Sequence, residues 1–201
     1  MIVEGANNMN RSNLKNILWL FYKPRLFFSQ IDGFDKVALI MPAIAATLMA
    51  LSQKNIAFAI FMFISIVVTT FILTTFFILV FRIGKDTIRM SSLYSALLYL
   101  NIISIFFIIA KLIFPGFIRT DVNGNEYSIL SIAFLFEKLQ TTVPFLFGIL
   151  TILDVSAFCG VAMNIIAVST MGNISIKKSL IYCLIVFLPL TIVMGLINLA
   201  R

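Results

Sequence analysis

The longest uncharged run in the chain, Ile56 to Phe81, covers 26 residues. At 1.5 Å per residue a helix of that length reaches about 39 Å, more than the roughly 30 Å hydrocarbon core of a bilayer. A helix that is apolar all round belongs in a large protein core or in lipid. A chain of 201 residues cannot supply such a core, so the run points to lipid. Composition agrees: 61% of residues are hydrophobic, 11% are charged and phenylalanine occurs 21 times, against roughly half apolar and a quarter charged in a soluble domain.

Four further apolar runs bounded by charge predict a bundle of five transmembrane helices, an all-α integral membrane protein. Their expected extents are Val37–Leu51, Ile56–Phe81, Leu93–Phe114, Val143–Met163 and Leu180–Leu199. The first is short, alanine-rich and contains Pro42; the third carries Lys111 near its end, where the side chain can snorkel. Residues 1–36 form a separate N-terminal arm and residues 37–200 the membrane domain. The first ten residues hold Glu4 and no basic residue, so no secretory signal is expected and the mature chain is expected to start near Met1.

The net charge of +7 sits in short segments between the apolar runs, the pattern that orients a membrane protein and not one that binds nucleic acid. Arg11, Lys15, Lys23, Arg25, Lys36, Arg82, Lys85, Arg89, Lys177 and Lys178 fall on one side, and Lys54, Lys111, Arg119, Lys138 and Arg201 on the other. The excess favours a cytoplasmic N-terminus and an outside C-terminus in a bacterial inner membrane, or an ER or Golgi membrane in a eukaryote. Within the arm, "NRSNLKNILWLFYKPRLFFSQI" mixes basic and apolar residues around Pro24, predicting one or two amphipathic helices in the interface, anchored by Trp19, Tyr22, Lys23 and Arg25. Between the third and fourth spans, Asn123-Gly124 signals a turn, and Leu130 to Leu139 a short interfacial helix.

One carboxylate, Asp154, lies inside an expected span. Asp costs roughly 2.5 to 3.5 kcal/mol at a helix centre, whereas eleven Leu, Ile, Phe and Val in Val143–Met163 return about 3 to 7 kcal/mol, so the helix inserts. The carboxylate then needs an inward partner or its proton. Asn101 is the first candidate, with Ser104, Thr69, Thr70 and Thr191 at similar depth. Asp154 is either a hydrogen-bonding pin between helices or a protonatable group in a translocation path. Gly148, Ser156, Gly160 and Asn164 recur at multiples of four and form a small-residue ridge for helix packing.

The chain has no histidine, which removes histidine-based zinc sites, Ser-His and Cys-His nucleophiles and histidine relays. Cys159 and Cys183 form no CxxC pair and are expected to be buried as small hydrophobes. HExxH, GxSG and GxGD motifs and a P-loop are missing, so no enzyme activity, cofactor or metal is expected. The expected partners are the lipid bilayer and other membrane proteins or a second copy.

The arm "FYKPRLFFSQI", the polar turn "FRIGKDTIRMSSLYSALLY" and the segment "LDVSAFCGVAMNIIAVSTMGNISIKKSLIY" occur in an order that resembles the Yip1-domain family in its bacterial form, over roughly residues 20 to 198. The resemblance implies a five-helix membrane domain with a cytoplasmic N-terminus, and in Asp154 with Phe158 a counterpart of the family's acidic-aromatic pair. Eukaryotic members are adaptors for Rab GTPases, whereas bacterial members appear as companions of transport complexes. The eukaryotic Asp-Leu-Tyr-Gly-Pro hallmark is absent, so GTPase binding is not carried over. The resulting expectation is a non-catalytic adaptor or accessory subunit of a membrane complex, with a small transporter or channel around Asp154 as the alternative.

Overall fold

A computed structural model describes residues 17–52, 55–114, 116, 118–120, 126–129 and 131–199. They are mainly helical. Among the described residues, three helices are long and apolar enough to cross a membrane: Ile56–Ile83, Met90–Ile113 and Ile176–Val193.

The arm forms two short helices, α1 (Trp19–Tyr22) and α2 (Pro24–Ser29), with the break at Lys23, because the fixed φ of Pro24 suits the first position of a new helix. A 3-10 turn (Lys36–Leu39) leads into α3 (Ile40–Ser52), and α4 (Ile56–Ile83) follows. The third span is α5 (Met90–Tyr99) continued by α6 (Asn101–Ile113). A two-stranded antiparallel ribbon, β1 (Ile118–Thr120) and β2 (Glu126–Ser128), pairs Thr120 with Glu126; the Asn123-Gly124 turn lies outside the described residues. The interfacial helix expected at Leu130–Leu139 is replaced by a 3-10 turn (Ile132–Phe136) and α7 (Leu139–Thr142). Then come α8 (Pro144–Ile152), α9 (Val155–Met171) and α10 (Ile176–Leu199).

Two helices end in the same way. At the end of α4, Asp86 N–H donates to Phe81 O and Lys85 N–H to Arg82 O; at the end of α9, Ile174 N–H donates to Ser169 O and Asn173 N–H to Thr170 O. Lys85 (φ 58°) and Asn173 (φ 48°) take the left-handed conformation that closes this type of cap. Both caps lie where chains approach closely. A Cβ on Gly84 would meet the Tyr182 hydroxyl at 1.6 Å, and one on Gly172 would meet the Phe81 ring at 2.4 Å.

The core gathers around Tyr99, Phe27, Phe28, Phe77, Phe81, Leu20 and Val168, with edge-on ring pairs Phe27–Tyr99 and Phe81–Tyr182 at 5.1 Å. The arm divides its apolar residues between two faces. Leu20, Phe27, Phe28 and Ile31 are covered by the bundle itself, with α2 packed on α9, whereas Leu18, Phe21, Tyr22 and Leu26 are exposed. The covered face gains from the ring pair Phe27–Tyr99 on α5, since rings in contact add about 0.5 to 1.5 kcal/mol per pair beyond area. By contrast, α4 buries only Thr70, Thr74, Phe77 and Phe81, and about half of its residues are exposed. Cys183 is buried as expected, but Cys159 is exposed because it lies on the outward side of α9.

The fourth span is the main correction. The continuous helix expected over Val143–Met163 is broken at Leu153, and α9 continues past Met163 to Met171. Leu153 (φ −82°, ψ 73°) and Asp154 (φ −103°, ψ 173°) leave the helical region. The backbone freed by the break is bonded elsewhere: Leu153 O accepts from Ile132 N–H at 3.0 Å, and Asp154 pairs with Ser131 in an isolated bridge. Broken helices at membrane depth survive on this condition.

Candidate functional site

Asp154 is a helix cap and not a mid-helix carboxylate. Its Oδ1 accepts from Ala157 N–H at 2.8 Å and from the Ser156 hydroxyl. Aspartate favours this position because its oxygen satisfies one of the donors that a helix start leaves open, while its charge faces the positive end of the helix dipole. The expected Asn101–Asp154 bond is absent. Asn101 Nδ2 donates instead to Leu98 O at 3.0 Å and Leu97 O at 3.4 Å on its own helix.

Several of the predicted polar residues nonetheless meet. Thr70 on α4, Asn101 and Ser104 on α6, and Ser156, Gly160 and Asn164 on α9 line one cavity of about 180 Å³, closed on its apolar side by leucines and Ile103. A Cβ on Gly160 would meet nothing within 4 Å, so at this position the small residue opens the polar recess and does not seat a neighbouring helix. The other predicted residues stay outside its lining. Thr69 is exposed, Thr191 donates to Phe187 O at 2.9 Å on α10, and Gly148 lies on α8, so the break removes it from the ridge formed by Ser156, Gly160 and Asn164.

The four-residue spacing along α9 runs over two turns, about 12 Å, from beside Asp154 into the bundle. Along this wall donors are engaged by backbone carbonyls and by the Asp154 carboxylate. Thr70 Oγ1 donates to Ile66 O at 2.8 Å, Asn164 Nδ2 to Gly160 O at 2.8 Å, and Ser156 Oγ to Asp154. Asn164 Oδ1 is buried with no hydrogen-bond partner.

Two polar clusters near the α4–α5 turn have no counterpart among the predicted residues. Asp35 is buried; its Oδ2 accepts from Tyr99 Oη at 2.6 Å, its Oδ1 from Val37 N–H at 3.0 Å, and its own N–H donates to Ser95 Oγ at 2.8 Å. Gly33 N–H donates to Ser92 Oγ at 2.7 Å. Ser92, Ser95 and Tyr99 are spaced i, i+3, i+7 along one face of α5, a periodicity visible in the sequence as a polar stripe that receives the loop before α3. In the second cluster Asp86 accepts from Lys178 Nζ at 2.8 Å and from the Tyr182 hydroxyl, tying the α4–α5 turn to α10. The Lys178 and Tyr182 hydrogen bonds hold the Asp86 carboxyl below its ordinary value of 3.8, against a smaller opposing effect of desolvation.

The arm, the α4–α5 turn and the α9–α10 turn meet at one end of the bundle around a cleft of about 580 Å³, where Arg89 and Asp32 form an exposed ion pair. Of the predicted anchors, Tyr22, Lys23 and Arg25 are exposed on the arm and Trp19 is half-buried. Lys23 Nζ lies 5.9 Å from the centroid of the Tyr22 ring. Among the described residues, no group of three or more His, Cys, Asp or Glu side chains is placed to hold a metal ion.

Asp154→Ala, which removes the cap, should cost about 1 kcal/mol of stability, whereas Asp154→Asn, whose amide oxygen caps nearly as well, should cost a few tenths. Thermal unfolding of both variants in the same detergent checks this, and equal losses would return Asp154 to the role of a buried charge. For Asp86 the lowered folded value means that stability from the ionised carboxylate is complete above pH 3.8 and is lost as pH falls through the lower folded value. An unfolding series should therefore be flat from this group between pH 7 and 5 and decline below about pH 4, with the acid decline reduced in Asp86→Asn. Comparison with protein-family models, with curated proteins and with solved structures finds no match.

Proposed function

We propose that this chain is a non-catalytic multi-pass membrane protein that acts as an adaptor or accessory subunit of a transport or trafficking complex in a bacterial inner membrane. The observation that carries the reading is the use of its acids. Asp32, Asp35, Asp86 and Asp154 each close a structural tie, to Arg89, Tyr99, Lys178 with Tyr182, and the start of α9 respectively. General acid-base or nucleophilic work needs a second group within hydrogen-bond reach of a substrate atom, and these four carboxylates are engaged by side-chain ties between elements or by a helix start instead. The exposed half of α4 offers apolar surface to a neighbouring helix as well as to lipid.

In this reading the chain crosses five times. Ile56–Ile83, Met90–Ile113 and Ile176–Val193 make three crossings, the shorter apolar stretch Lys36–Leu51 a fourth, and the discontinuous α8–α9 pair a fifth. The arm and the two turns at the cleft, with their basic residues, face the cytoplasm by the positive-inside bias. The likeness to bacterial Yip1-domain proteins supports the same architecture and a companion role. Extraction from native membranes after mild crosslinking should bring down a membrane-protein partner in fixed ratio; recovery as a clean monomer would sink the adaptor reading.

The cavity between α4, α6 and α9 favours a second reading, a small transporter or channel with a polar path along α9. It predicts solute flux in proteoliposomes that falls when Asn164 or Asn101 is replaced by Leu. Flux equal to that of protein-free liposomes for all ions and at all pH values tested would reject it.

A further inference from the structure

The polar cavity has a sign. In each of its amides and in Thr70 one donor hydrogen is committed to a backbone carbonyl of the same helix: Asn101 Nδ2 to Leu98 O, Asn164 Nδ2 to Gly160 O and Thr70 Oγ1 to Ile66 O, which leaves the second Asn164 N–H and the Ser104 hydroxyl as the donors on this wall. These carbonyls also decide which way the amides face, because a flipped amide would set oxygen against oxygen. The Oδ1 atoms of Asn101 and Asn164 therefore point away from the helix carbonyls. Asn164 Oδ1 is buried and unpartnered, and an acceptor left so costs about 1 to 3 kcal/mol. Ser156 gives its proton to Asp154 and keeps its lone pairs, and no Lys or Arg lines the recess. At the Ser156 end, Asp154 engages Oδ1 twice, adding a carboxylate beside the same wall.

We propose that this cavity is a binding site for a small monovalent cation, an alkali ion or ammonium, held by the neutral oxygens of Asn101, Asn164, Thr70 and Ser156. The proposal names the ligand of the cavity on which the transporter reading rests, but it needs occupancy only and not passage. Neutral amide and hydroxyl oxygens suit a singly charged hard ion, since they replace its hydration without the charge that divalent ions demand. A volume of about 180 Å³ is several times the roughly 30 Å³ share of one water, so the ion can keep part of its hydration shell. The expectation of no metal rested on histidine, cysteine and clustered carboxylates, and a site built of amide and hydroxyl oxygens lies outside that rule.

Thermal unfolding of the full chain in nanodiscs, in chloride salts of sodium, potassium, ammonium and N-methylglucamine at equal ionic strength, tests this. One or more of the small cations should raise the melting temperature in a saturable way while N-methylglucamine does not, and the comparison among the three identifies the ion. Asn164→Leu should weaken half-saturation about tenfold. Thr70→Val, which keeps the side-chain shape and removes one oxygen, should also weaken it, guarding against a leucine variant that fails to fold. Equal melting in all four salts, or a salt response unchanged in Thr70→Val, would overturn the site and leave a cavity filled by water. Saturable binding without flux in liposomes would reject the transporter reading and uphold the site.

Discussion

In hydrocarbon every backbone donor and acceptor must find a partner inside the protein, and this structure turns on how the chain meets that rule where its helices stop. The break at Leu153 is the demanding case. It frees carbonyls at the end of α8 and amides at the start of α9, and the chain covers them with Asp154, with Ile132 N–H on Leu153 O and with the Ser131 bridge. A carboxylate that seemed expensive in the middle of a span is inexpensive at a helix start, where it meets an N–H at 2.8 Å and the positive end of the dipole. The same rule explains Lys85 and Asn173, whose left-handed backbones close the ends of α4 and α9 and aim the following loops at one end of the bundle.

That end is held by bonds between residues far apart in the chain. Asp35 meets Tyr99 across 64 positions and Asp86 meets Lys178 across 92, so the loop before α3 is tied to α5 and the α4–α5 turn to α10. Burial makes the first of these the stiffer tie, because a buried carboxylate without its hydroxyl and amide donors carries the full desolvation cost. The second is half open to solvent and is correspondingly modest. The aromatic arm completes the enclosure, with Phe27 set edge-on against Tyr99. Together these make an ordered loop face on a bundle whose α4 keeps about half of its residues exposed.

Length and hydropathy were enough to read the three long helices, because crossing a bilayer imposes a length that local sequence must supply. The start of the second arm helix was legible from Pro24 for a similarly local reason. Asp154 was misread because periodicity alone cannot distinguish a residue in mid-helix from one at a cap, although an aspartate followed by a serine two positions later, at the head of an apolar run, was a cap signal in its own right. The Asp35 and Asp86 clusters were illegible, since nothing local to "IDGFDK" or "GKDTIR" names a partner 60 or more residues away. The amphipathic arm carried the right residues for the interface and leaves Leu18, Phe21 and Tyr22 exposed, yet Phe27 and Phe28 turn inward, where Phe27 meets Tyr99 and α2 packs on α9.

The polarity of the cavity follows from the same backbone rule. Threonine, serine and asparagine inside a lipid-embedded helix lower their own cost by donating to carbonyls three or four positions back, as Thr70, Thr74, Asn101 and Asn164 all do. Each such bond consumes one donor hydrogen and leaves an oxygen outward, with a second N–H remaining on Asn164. Wherever several of these residues line a recess with no basic side chain nearby, the recess becomes acceptor-rich without any acidic residue having to be placed there. Small residues on α9 then decide where this happens, because Gly160 leaves room beside Asn164 that a larger side chain would fill. A site for a positively charged guest can thus arise from helix packing and hydrogen-bond satisfaction alone, and the Asp154 cap at its edge sharpens a preference that the neutral oxygens have already set.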